Sequence, residues 1–237
     1  MIIRGAARLI SLTLPTHKWY YAAFTFTKKY ANLKSFSNKR LNSINHASKL
    51  NALLSILTST GKSFAIPIKA NGVEVLQTPR PNGLVLCSVH IPLIQVSARY
   101  LVEQGLAPDA VIVKHPLNGD AYPLLGISVS IPVIYSGTGV LLKAKSILKR
   151  GKRLIVLADY DVGSECYSPN IFHLADSLKV DIIYFFARLQ PDGYVEVSFL
   201  QAPDIDNKDG CILKSRISVL NNYRNNILDI EQGFNIQ

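Results

Sequence analysis

No acidic residue precedes Glu74, although eleven lysines and arginines do. From Glu74 onward fifteen bases stand against sixteen acids, so the whole net charge of +10 lies in the first third of the chain. Such a segment cannot neutralise itself. It calls for an anionic partner or a solvated surface: a membrane leaflet, a nucleic acid or an acidic protein. Cysteine is scarce too. Cys87, Cys166 and Cys211 have no metal-ligand spacing and cannot form an even disulfide framework, which reads as reduced thiols in a cytosolic setting. Long apolar runs are also missing near the start. Uncharged stretches there reach only about nine residues and Lys18 interrupts them, against the ~20 that a spanning helix needs. A secretory leader would need a longer apolar core and a small-residue cleavage site. Internal repeats, low-complexity linkers, a phosphate-binding P-loop, a dinucleotide fingerprint and recognised nucleic-acid modules are all absent from the sequence.

What is present is core material. Hydrophobic residues make up 48% of the chain and charged ones 18%, which argues against disorder. Residues 1–39 form a basic arm with Trp19, Tyr20, Tyr21 and Phe24. Three readings fit that arm: a membrane-interface segment, a helix packed on the domain, or a transit peptide. Residues 40–202 carry the domain. Leu50, Leu53, Leu54 and Leu57 predict an amphipathic helix over about 40–58. "SFAIPIKANGVEVLQ" reads as two strands around an Asn-Gly turn. "LVLCS", "DAVIVK", "IPVIYS", "RLIVLADYD", "DIIYFFARL" and "YVEVSFL" read as strands. Helical segments follow Pro92 and Gly137, and "NIFHLADSLKV" reads as another. This alternation predicts an α/β fold, a mixed and largely parallel central sheet flanked by helices. Residues 203–237 are a polar extension with few anchors.

In such sheets ligands gather at the carboxyl ends of strands. His90 follows the strand "LVLCS", and Asp159 and Asp161 end the strand "RLIVLADYD", so these residues are the candidates for chemistry. The bland reading of the two aspartates is turn capping. Cys87 and Ser88 on a buried strand read as packing. Lys143, Lys145, Lys149, Arg150, Lys152 and Arg153 suit a solvated helix end or a dock for an acidic carrier protein or phosphate. The aspartate pair alone is too few ligands for a metal, and none is assigned.

In order and spacing, "GLVLCSVHIPLIQVSARYLVEQG", "DAVIVKHPLN" and "AKSILKRGKRLIVLADYDVG" resemble blocks of the lauroyl/myristoyl acyltransferases of lipid A biosynthesis. That family belongs to the lysophospholipid acyltransferase-like superfamily. The resemblance covers roughly residues 40–202. It implies a lysophospholipid-acyltransferase-like fold and transfer of an acyl group from acyl carrier protein or coenzyme A to a hydroxyl or amine of a lipid or metabolite. The donor is a substrate, and no other cofactor is implied. His90 takes the place of the general base. Gln95 occupies the position of the family's acid, where an amide could hold the ring without carrying charge. Lys114 or His115 would hold an anionic acceptor, with Asp159 and Asp161 also near the substrate. An anionic membrane surface is the expected partner, with no specific nucleic acid. The expected location is peripheral, on the cytoplasmic face of the inner membrane, or otherwise cytoplasmic. The alternative is a catalytically weakened relative that binds lipid or a partner.

Overall fold

The computed structural model describes residues 2–33, 39–80, 82–114, 121–159, 167–202 and 212–228. Its centre is a mixed sheet of eight strands among the described residues: β1 (Ile68–Asn71), β2 (Leu84–Ser88), β3 (Ala110–Val113), β4 (Ala121–Pro123), β5 (Ser130–Tyr135), β6 (Arg153–Leu157), β7 (Asp181–Leu189) and β8 (Val195–Gln201). The spatial order is β1-β8-β7-β2-β6-β3-β5-β4. Pairing is parallel except at β7–β8 and β4–β5. β2 lies in the middle and is buried at every position, as expected of a strand covered on both faces. The α/β expectation is met, and the strands expected at 84–88, 110–113, 130–135, 153–157, 181–189 and 195–201 are all present.

The helices return the chain between strands. α5 (Ile94–Glu103), α6 (Val140–Lys149) and α7 (Asn170–Leu178) each turn an apolar stripe to the sheet, with Val96, Leu101, Leu148 and Phe172 buried. α1 (Ile2–Thr13), α2 (Trp19–Leu33) and α3 (Lys39–Thr58) pack together as a helical layer. Leu50, Leu53, Leu54 and Leu57 of α3 are wholly buried, as their spacing requires.

Three sequence expectations need correction. Residues 73–77 do not form the second arm of a hairpin. β1 pairs in parallel with β8, and Glu74–Gln77 is a short helix, α4. Gly72 sits at φ 70°, and a Cβ there would strike the Phe199 carbonyl. The chain therefore turns away against β8, where only glycine fits. Second, Trp19, Tyr20 and Phe24 are not interfacial. They lie in the core, where Trp19 Nε1–H donates to Leu14 O (2.9 Å) and Tyr20 O–H to Gly193 O (2.6 Å). Third, the described part of the polar C-terminal stretch, residues 212–228, is anchored. α8 (Ile212–Leu228) buries Leu220 and Arg224 and stacks Tyr223 on Phe186 with ring centroids 4.9 Å apart. Those anchors recur at helical spacing amid asparagines, which hides them from composition.

Candidate active site

β2 delivers Cys87, Ser88 and then His90 to the carboxyl edge of the sheet. The chain turns at Ile91 and Pro92 and enters α5 through Leu93, which is left-handed at φ 66°. That conformation is costly for a residue with a Cβ, and it persists because the surroundings dictate it. Leu93 is buried, and its amide N–H donates to Asn51 Oδ1 on α3 (3.2 Å). The turn carrying His90 is thus braced from a different layer of the fold.

The partner of His90 comes from the next strand. β2 and β6 run parallel, with Ser88 opposite Leu157. The same register, continued two residues, sets His90 opposite Asp159. Asp159 Oδ1 accepts from the ring at 2.8 Å, and both carboxylate oxygens accept the His90 main-chain N–H at 2.9 Å. The Asp159 side chain is fully buried, while that of His90 is 34% exposed. A carboxylate can only accept, so Nδ1 carries a proton, and in the neutral ring that tautomer leaves the lone pair on Nε2. Asp159 is held in turn: it bridges to Tyr167, and Ser168 N–H donates to Ala158 O (2.8 Å). The Tyr167 hydroxyl meets Asn221 and Arg224 of α8.

Gln95 is therefore not the orienter of His90. It points across the cavity to Tyr122 of β4 and hydrogen-bonds its phenol. Burial pushes that phenol above its ordinary pKa, and the Gln95 bond draws it partway back. The reason is geometric. The acid reaches the ring from the neighbouring strand, which leaves the first turn of α5 free to line the pocket.

That pocket has a volume of about 660 Å³, within the range of small-molecule sites. Val111, Val113, Val140, Leu141, Leu157 and Ile171 supply apolar walls, with His90, Asp159, Gln95, Tyr122 and Lys114 as the main polar features. Of the sequence candidates, the structure brings His90, Gln95, Lys114 and Asp159 to this one cavity. His115 and Asp161 lie outside the described residues. Cys87 is fully buried, and burial pushes its thiol pKa well up, so it stays protonated. No group of three metal-ligating side chains occurs among the described residues. Asn51, Tyr122 and Tyr167 carry no local sequence signal, since each acts through a contact between elements. The chain matches no protein-family model and no curated protein.

Proposed function

We propose that the protein is an acyltransferase that moves an acyl group from an acyl carrier protein or coenzyme A thioester to a hydroxyl or amine of a lipid or metabolite. The observation that carries this reading is the buried Asp159 carboxylate on Nδ1 of His90, in the wall of a largely apolar pocket. On this reading the nucleophile is the hydroxyl or amine of the acceptor, and Asp159 holds the His90 ring that activates it. The succession of β2, His90 and α5, then β3, then β6 ending in Asp159 supports the likeness to the lipid A lauroyl/myristoyl acyltransferases. A lysophospholipid-acyltransferase-like fold belongs to the same proposal. On this reading the protein works at the cytoplasmic face of the inner membrane as a peripheral enzyme.

The reaction is general-base acyl transfer. Nε2 of neutral His90 takes the proton of the acceptor hydroxyl as its oxygen attacks the thioester carbonyl. The new C–O bond forms, the C–S bond breaks, and the leaving thiolate takes the proton back from the imidazolium. Asp159 stays ionised throughout, fixing the tautomer and stabilising the imidazolium. The apolar walls take the acyl chain, and Lys114 supplies positive charge at the rim for an anionic group of donor or acceptor.

The test is thiol release and acyl product from purified protein given acyl carrier protein and coenzyme A donors with a lipid extract as acceptor. His90→Ala is expected to lower kcat by roughly 10²–10⁴. Asp159→Asn is expected to fall by a similar factor, up to about 10⁴. Gln95→Ala, which leaves the dyad intact, should change kcat by less than about tenfold. Equal rates for wild type and His90→Ala would overturn the proposal. Donor binding with no turnover would leave the idle acyl-binding module in its place.

A further inference from the structure

α1 carries one broad apolar arc, and the protein covers only part of it. Ala6, Ala7 and Ile10 are buried in the helical layer. Leu12, Leu9 and Ile2 are 74%, 63% and 54% exposed. At 3.6 residues per turn these three fall in one arc of the helix, next to the buried arc on the Ile2 side and bordered by the exposed Arg4 and Arg8 on the Leu12 side. Tyr21 on α2 is also exposed, as are Lys18 and Lys29. Large aliphatic side chains gathered on one helix face are unfavourable in water and mark a contact surface.

We infer that this face of α1 docks on an anionic lipid bilayer, lying in the plane of the interface. Charge selects that occupant: Arg4 and Arg8 border the leucines on α1, Lys18 and Lys29 are exposed on the following helices, and the first 73 residues contain no carboxylate. No helix among the described residues is long and apolar enough to cross a membrane, so the contact is one of surface, with Leu9 and Leu12 as its wedge. α2, which packs against α1, has a defined place on the sheet. α2 is seated on the β7–β8 turn, where Tyr20 bonds Gly193 O and Lys28 Nζ bonds Pro191 O at 3.1 Å. β7 runs parallel to β2 and continues to Leu189, beyond Tyr184, its last partner there. The turn therefore stands at the same edge of the sheet as His90. α3, which packs against α1 and α2, also lines the pocket through Asn51. α1 packs on both α2 and α3, so its exposed strip adjoins the elements that reach this edge. The docking surface stands on these contacts whether or not the dyad transfers acyl groups.

The test is flotation of the full chain with vesicles of phosphatidylcholine alone or with about one third phosphatidylglycerol, at low and high salt. Wild type is expected to float with the anionic vesicles and to lose binding as salt rises. Leu9→Glu/Leu12→Glu should weaken binding at least about tenfold with an unchanged Tm, since both side chains are already in water. Arg4→Glu/Arg8→Glu should weaken it about thirtyfold or more on anionic vesicles only. The proposal fails if wild type floats with neither vesicle, or if the leucine variant floats as wild type does. It also fails if the wild type is a dimer that the leucine variant dissociates while vesicle binding is absent, which would make a second copy the occupant.

Discussion

At the scale of single residues, His90 and Asp159 were each legible in the sequence, because each ends a run of buried strand residues at the edge where α/β sheets bind ligands. Their pairing was not. It depends on β2 and β6 being neighbours in a register that sets the two residues opposite each other, and no local pattern encodes that register. Gln95 illustrates the converse: its spacing from His90 along the chain suggested a contact, yet the ring is already held from another strand. A second histidine offers a cleaner physical prediction. His46 packs on Phe24 with ring centroids 5.1 Å apart and lies 3.4 Å from the Phe24 carbonyl. Burial lowers its pKa from 6.5 to about 4; the carbonyl opposes this shift, and the charges of Lys28 and Lys49 add to it. The unfolded chain then binds more protons than the folded one between those two values. The contribution of His46 is thus fully present above about 6.5, falls as pH drops toward about 4, and is constant below. Thermal unfolding of wild type and His46→Phe at pH 7 and pH 4.5 should show a larger loss of Tm for wild type. Equal losses would mean that His46 is not buried in its neutral form.

Among the elements, the strands and the helices α5 to α7 were legible because their periods are clean: short apolar runs for strands and three-to-four spacing for helices. β4, α4 and α8 were not. β4 has three residues, α4 has four, and α8 hides its anchors among polar side chains. α8 matters beyond packing, because Asn221 and Arg224 hold the Tyr167 hydroxyl, and Tyr167 bridges to Asp159. Tyr167→Phe removes that hold and is expected to cost about 1 kcal/mol of stability. It should also broaden the His90 Nδ1–H resonance in proton NMR, which a purely structural hydroxyl would leave sharp. Helix ends give a separate test. Lys179 caps α7 in the left-handed region at φ 52°, and Gly151 follows α6 at φ 72° with open space where a Cβ would sit. Lys179→Gly should raise stability by about 0.5–1 kcal/mol and Gly151→Ala should lower it by about 1 kcal/mol. Denaturant midpoints read both, and shifts of the same sign in both variants would contradict the backbone argument.

For the whole molecule, charge and packing divide the chain differently. By charge, the first 73 residues are a basic segment joined to a balanced one. By packing they are continuous with it: Trp19, Tyr20, Ala23 and Phe24 belong to the same buried cluster as β2, β7 and β8. Each large aromatic of that set buries about 150–250 Å², roughly 4–6 kcal/mol of gross apolar transfer per ring. Three such rings together rival the whole net stability of an ordinary domain, about 5–15 kcal/mol. A chain that begins at residue 40 keeps Leu50, Leu53, Leu54 and Leu57 but loses the helices that pack beside them. Such a chain should bind a hydrophobic dye and lose its single sharp thermal transition, even though every strand and both members of the His90–Asp159 dyad remain. If it instead melted at the wild-type Tm, the basic segment would be an appendage to the fold and α1 a tether. The packing argues for the other arrangement, in which the buried side of the N-terminal helices completes the core while Leu9 and Leu12 of α1 stay exposed.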